Sequence, residues 1–229
     1  MGKIFCLMGK SNSGKDTIFK ELMKDKGLEL KAIVSYTTRP IRSNECDGRE
    51  YYFINEKDLE KYRNEGKVIE ERSYNTVHGL WYYCTIDDKQ VDIEENNYLL
   101  IVTLEAYKDI ALYFGEENVI PFYIELDDGV RLERALKRER QEKSPNYDEL
   151  CRRFLADSQD FSNEKLKAYN IKKSYINDNL SECIKNIKRD MLKLLLLFPF
   201  WKNVKIILLF WMLKLKLVKL IKLELIWLI

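Results

Sequence analysis

Residues 3–27, KIFCLMGKSNSGKDTIFKELMKDKG, decide the fold. The opening KIFCLM (3–8) is a short apolar run that ends at Gly9, the pattern of a buried strand feeding a loop. After the loop, apolar side chains at 18, 19, 22 and 23 and a closing Gly27 predict a helix. Between strand and helix lies GKSNSGK (9–15), in which two glycines bracket four residues and a lysine follows at once. In that context the main-chain N–H groups and the helix N-terminus present positive potential to a phosphate, and the lysine reaches the outer phosphates of a nucleotide. The expected phosphate-binding segment is Gly9, Lys10, Ser11, Asn12, Ser13, Gly14 and Lys15, continuing into Asp16 and Thr17.

Asp16 stands where this pattern ordinarily carries a magnesium-holding hydroxyl. A carboxylate beside triphosphate oxygens repels them unless a divalent cation lies between, and then it is a better hard-oxygen ligand than a hydroxyl. Its place in the first helical turn also suits a negative charge. The expectation is a working, modified loop with Mg2+ tied to Asp16, directly or through water, and to Thr17.

Working outward, LKAIVSY (30–36) reads as a second strand, and NEKDLEKYRNEGK (55–67) as an amphipathic helix with Asn55 as its N-cap. VIEERSY and GLWYYCT read as short strands of a small sheet. NYLLIVTL (97–104) and VIPFYIEL (119–126) alternate so little that they suit strands covered on both faces. Helices are expected over 105–114, 129–143, 146–166 and 181–193, and a last short strand over 172–178. Strands alternating with helices predict an α/β fold with a parallel sheet.

The composition narrows the function. Residues 191–229 hold seven lysines and one glutamate, a balance of +6, so a net charge of +2 leaves residues 1–190 at −4. An acidic body is a poor match for nucleic acid. Five cysteines without a CxxC pair, and one histidine, offer few zinc ligands and read as reduced thiols. The apolar run before Gly9 is too short for a secretory signal, and a cytoplasmic location is expected.

GKSNSGKDT, VSYTTRPIR and DGREYYF, in this order and spacing, resemble the guanylate kinase family over most of residues 1–190. The resemblance implies a P-loop kinase core (1–34 and 97–190), a small mixed monophosphate-binding lobe (35–96) and a helical lid near 130–152. It implies ATP as phosphoryl donor with Mg2+, and GMP or dGMP as acceptor. Carried onto this chain, Ser35, Arg39, Arg42, Tyr51 and Tyr83 match the positions that hold the acceptor's phosphate. Two arginines three apart with tyrosine hydroxyls are suited to a dianionic phosphate. Glu70 and Thr85 match the residues that read the guanine edge. Arg134, Arg138 and Arg153 match the lid arginines that stabilise the transferring group, and Asn177 matches a residue near the adenine.

Some positions depart from the family. An Asp-x-Asp at the end of the third core strand is replaced by Thr103 and Glu105, the segment between Glu70 and Tyr83 is about four residues longer, and Tyr82-Tyr83-Cys84 stands for Tyr-Tyr-Gly. The GKD of the loop is also found in ribose 1,5-bisphosphate phosphokinase, a rival enzyme reading. A catalytically inactive interaction module is the rival of another class, although such modules usually lose the glycine loop that this chain keeps. Residues 191–229 have uncharged runs of at most eight residues and lysines spread around the whole helix. Their readings are weak membrane contact at the lipid interface, a partner-binding helix or an out-of-frame extension.

Overall fold

The structure, a computed structural model, describes residues 2–42, 45–76, 79–142 and 144–196. The chain divides into two compact units, Met1–Lys188 and Arg189–Ile229. Of the second unit residues 189–196 are described and are helical; the readings of the tail fall largely on 197–229, outside the described residues. Among the described residues no helix is long and apolar enough to cross a membrane.

The first unit is an α/β fold built on a five-stranded parallel sheet. Its strands are β1 (Ile4–Met8), β2 (Leu30–Ala32), β7 (Asn97–Ile101), β8 (Val119–Glu125) and β9 (Ser174–Ile176), in the order β2-β7-β1-β8-β9. β1 lies at the centre, and all five of its residues are fully buried. That explains why the run 3–8 carries no polar alternation, since both of its faces meet apolar side chains. Phe5 meets Phe122 of β8 edge to face at 5.7 Å, while Ile4, Cys6 and Met8 join the cluster of Tyr98, Leu100, Ile110 and Val119.

A second, mixed sheet carries β3 (Tyr36–Thr37), β4 (Tyr52–Phe53), β5 (Val68–Thr76) and β6 (Gly79–Ile86) in the order β4-β3-β6-β5. The run 30–36, expected as one strand, is thus split between the two sheets. Ile33 still donates to the carbonyl of Leu99, but both backbone polar groups of Val34 are taken by the side-chain amide of Gln90. That amide substitutes for a neighbouring strand, so the chain can leave one sheet and enter the other without orphaned backbone groups. The lobe has its own small core of Tyr36, Leu59, Cys84 and Ile86. Leu59 comes from α2 (Glu56–Asn64), whose N-cap Asn55 accepts from Asp58 N–H as expected.

The remaining helices are α1 (Lys15–Met23), α3 (Leu104–Phe114), α4 (Asp128–Glu139), α5 (Tyr147–Asp160) and α6 (Asn163–Ala168), with residues 180–188 helical as well. Thr103, Asp127 and Asn146 cap α3, α4 and α5 with their side chains. The helix expected over 146–166 breaks in two. Phe161 turns into the core and stacks on Tyr123 at 5.7 Å, and Ser162 starts α6 by accepting from Lys165 N–H. The segment between Glu70 and Tyr83 runs out along β5 and back along β6, whose last described pair is Thr76 with Gly79.

Because Phe5 is completely enclosed in the central strand, Phe5→Ala leaves a cavity that the sheet cannot collapse around. The expected loss is about 3–5 kcal/mol of unfolding free energy, read from urea denaturation followed by far-UV circular dichroism.

Candidate active site

The loop of residues 9–15 takes a backbone path that side-chain-bearing residues resist. Gly14 has φ +94°, and a Cβ there would lie 2.3 Å from the Asn177 amide nitrogen; Asn12 also takes a left-handed φ of 62°. The carbonyls of Gly9, Lys10, Ser11, Ser13 and Gly14 each have a partner. Lys15 Nζ donates to the carbonyls of Gly9 (2.6 Å) and Lys10 (3.0 Å). Arg131 Nη1 donates to that of Ser11 (2.9 Å) and Asn177 Nδ2 to that of Ser13 (2.7 Å). Gly14 receives Ile18 N–H, the first bond of α1. In contrast, the main-chain N–H groups of Asn12, Gly14, Lys15 and Asp16 have no acceptor among the described residues. A loop whose carbonyls are tied and whose amides are open is an anion cradle.

Lys15 is half-buried inside this loop, and burial pushes its ammonium below the ordinary lysine range, against the opposing pull of Asp16 and Asp157. Asp16 and Thr17 are exposed on the first turn of α1. Asp16 borders a cleft of about 540 Å³ that Ser35, Tyr51 and Leu100 also line, so the first turns of α1 and the lobe face one space.

In the lobe, Arg39 is buried at 4% exposure. Its guanidinium lies over the rings of Tyr51 (5.5 Å) and Phe53 (5.4 Å) and is held by Glu45 through bonds of 2.8 and 2.9 Å. Glu45 also accepts from Arg42 N–H, which fixes the turn while leaving the Arg42 side chain exposed. Tyr83 meets Tyr51 edge to face at 5.6 Å, and Ser35 is buried beside them. Ser35, Arg39, Tyr51 and Tyr83 therefore share one wall, built by the ends of β3 and β4 and by β6.

Glu70 and Thr85 pair across β5 and β6, both nearly inaccessible, with the threonine hydroxyl donating to the carboxylate at 2.8 Å. Glu70 has a second partner, Arg72, whose Nε donates to it at 3.0 Å and whose Nη1 donates to Thr103 Oγ1 at 3.2 Å. Thr103 thus belongs to this cluster as well as capping α3, whereas Glu105 is exposed and points towards Lys165, 3.9 Å away.

The expected lid residues sit on α4 and α5. Arg134 and Arg138 are exposed, with Arg134 Nη1 3.9 Å from where a Gly14 Cβ would stand. Arg153 has a buried Nε without a hydrogen-bond partner among the described residues, Glu149 lying 4.0 Å away. Asn177 is buried under the loop, its amide bonded to Ser13 and its backbone N–H to Glu125 at the end of β8. Its side-chain amide contacts the loop.

Four residues at this site escaped the sequence reading. Glu45 could have been found from its place three residues after Arg42 in the arginine loop. Arg72 and Asp157 carry no local signal, and Arg131 looks like one more cation on a solvated basic face.

A glycine-loop phosphate cradle at the start of α1, a cleft that runs from Asp16 to Ser35 and Tyr51, and a lobe bearing a buried arginine, tyrosines and a buried carboxylate define a P-loop phosphotransferase. The family profile described as guanylate kinase matches residues 1–193, and the chain belongs to the guanylate kinase family. The guanylate kinase of Mycoplasma mobile is 29% identical over 195 residues, covering 83% of this chain and 94% of that one. That of Cupriavidus metallidurans is 30% identical over 187 residues, covering 79% and 80%. The crystal structure of guanylate kinase from Anaplasma phagocytophilum shares the fold with a TM-score of 0.60 at 19% identity, over 84% of this chain and 85% of that one.

The Arg39–Glu45 pair makes stability depend on pH. The hydrogen bonds from Arg39 hold the Glu45 carboxyl below its ordinary value of 4.5, against the effect of burial. A depressed carboxyl contributes stability above its unfolded value and loses it as pH falls through its folded one. The wild-type protein is therefore expected to be more stable than Glu45→Gln at neutral pH, and the gap to narrow between about pH 5 and about pH 3. Urea unfolding at each pH measures it.

Proposed function

We propose that this protein transfers the γ-phosphoryl group of ATP to GMP, giving ADP and GDP. The observation that carries this reading is the open row of amides at Asn12, Gly14, Lys15 and Asp16, facing a lobe whose buried Glu70–Thr85 pair offers a hydrogen-bonding edge. An acceptor without a base would leave that edge unused.

In this reading the loop amides and Lys15 hold the donor phosphates. The guanidinium of Arg39, with Arg42, Ser35, Tyr51 and Tyr83, holds the acceptor phosphate through charge-assisted hydrogen bonds. The oxygen of that phosphate attacks the γ-phosphorus in line as the bond to the bridging oxygen breaks, and no general base is needed because the acceptor is already an anion. Arg134, Arg138 and Arg153 neutralise charge that spreads onto the equatorial oxygens. The buried Nε of Arg153, lacking a partner, is a donor awaiting an acceptor. Asn177 supports the loop from below and borders the adenine.

A carboxylate retains acceptor capacity beyond two partners, so Glu70 can take the guanine N–H edge while keeping Thr85 and Arg72. Asp16 and Thr17, exposed at the loop's mouth, suit Mg2+, which takes one or two protein oxygens and completes its shell with phosphate and water. Held there, the ion would supply positive charge that neutralises phosphate oxygens. A cytoplasmic place in purine nucleotide metabolism accords with these substrates.

A coupled ADP assay tests the reading. Turnover with ATP and GMP or dGMP is expected, against none with ribose 1,5-bisphosphate. Lys15→Ala should abolish it, and Glu70→Gln should lower kcat/KM for GMP about 10- to 100-fold, the worth of a hydrogen bond to a charged group. Failure of the wild-type protein to phosphorylate GMP would refute the assignment.

A further inference from the structure

Both backbone polar groups of Ser11 are claimed by the lid. Its N–H donates to Asp157 Oδ2 at 2.7 Å, and its carbonyl accepts from Arg131 Nη1 at 2.9 Å. The same Nη1 lies 3.3 Å from Asp157 Oδ2, so the two side chains and one loop residue close a ring. Arg131 is on α4 and Asp157 on α5, which makes the ring a junction of both lid helices with the phosphate loop. A second strut runs parallel to it. Arg131 Nε donates to Asp128 Oδ1 at 3.0 Å, and Lys10 Nζ donates to the same carboxylate at 3.1 Å. The Arg131 guanidinium also lies 4.8 Å over the ring of Phe154 and is 1% exposed.

Helical spacing links this junction to the chemistry. Arg131, Arg134 and Arg138 fall at i, i+3 and i+7 on α4, and Arg153 and Asp157 at i and i+4 on α5, so each set shares one face of its helix. Fixing Arg131 and Asp157 to Ser11 therefore fixes where the guanidinium groups one and two turns away can reach. A buried ion pair adds little net stability compared with an apolar pair of the same size. Its usefulness here is geometric, because two charged side chains and two backbone groups can satisfy one another in only one arrangement.

We propose that Arg131 and Asp157 are positioning residues that lock the phosphate loop to both lid helices and so set the lid arginines over the transferring phosphoryl group. The proposal rests on the phosphotransfer reading above. It predicts that loosening the junction slows transfer and admits water to the γ-phosphoryl, giving ADP and inorganic phosphate instead of ADP and GDP.

The test uses the full chain carrying Asp157→Asn, Arg131→Lys and both together, with folding checked by circular dichroism and urea unfolding. Asp157→Asn keeps an oxygen for Ser11 N–H and removes only the charge, which keeps the test open should Arg131→Lys fail to fold. The expected result is a fall in kcat of about 10- to 100-fold, the scale of a misplacement near 1 Å, with KM for GMP within about twofold. The share of ATP lost to hydrolysis should rise, and the double variant should be no worse than the weaker single one. Folded variants with unchanged kcat and an unchanged ratio of phosphate to GDP, or with additive losses, would overturn the proposal. If the wild-type protein does not phosphorylate GMP, the assignment fails separately. Calorimetry with MgATP then decides on the junction: about tenfold weaker binding to Asp157→Asn upholds it, and equal binding refutes it.

Discussion

Seven residues of loop, 9–15, must expose amide hydrogens without exposing carbonyl oxygens, and the rest of the first unit is arranged around that demand. A helix or strand satisfies its own backbone, but a phosphate cradle cannot, because its donors are reserved for the ligand. The carbonyls are therefore satisfied from elsewhere: by Lys15 from the loop's own end, by Arg131 from α4 and by Asn177 from the end of β9. The central position of β1 follows from the same need. Only a strand flanked on both sides, by β7 and β8, delivers Gly9 to a point that helices and strands from far along the chain can reach.

The acceptor lobe solves a different problem. In the proposed reaction its arginine meets a dianion, and it must also be tolerable when none is bound. Arg39 is buried against two aromatic rings, a place where an unpaired guanidinium would be costly. Glu45 makes it tolerable and at the same time orients its planar fork. Arg72 does for Glu70 what Glu45 does for Arg39, and its reach to Thr103 ties the lobe's hairpin to the start of α3. Where the resemblance leads one to expect a carboxylate, this chain has a neutral hydroxyl at Thr103, and the Arg72 guanidinium donates to it.

The parts legible in the sequence are those whose signal is local. Strand, glycine loop and helix lie within 25 consecutive residues, Asn55 caps the helix beside it, and the apolar runs at 97–104 and 119–126 declare buried strands. Illegible parts depend on partners far apart in the chain. Val34 leaves the sheet because of Gln90, 56 positions away, and Ser11 is held by residues 120 and 146 positions on. The single helix expected over 146–166 fails because Phe161 gains more from stacking on Tyr123 than from continuing the helix.

Arg131 shows why such residues hide. In sequence it is one of several cations in VRLERALKRER, a stretch whose periodic charges read as solvated, and α4 does leave Arg134 and Arg138 in solvent. Burial of Arg131 requires a carboxylate, an aromatic ring and a free carbonyl to converge on it, and those come from Asp157, Phe154 and Ser11. No window of sequence holds all four. Charge balance at a site is a property of the folded arrangement, so a cation that positions and a cation that neutralises are told apart only by what surrounds them. Here the surroundings separate an enclosed arginine, bonded to the loop carbonyl of Ser11 and to Asp128 and Asp157, from two exposed ones on the same helical face.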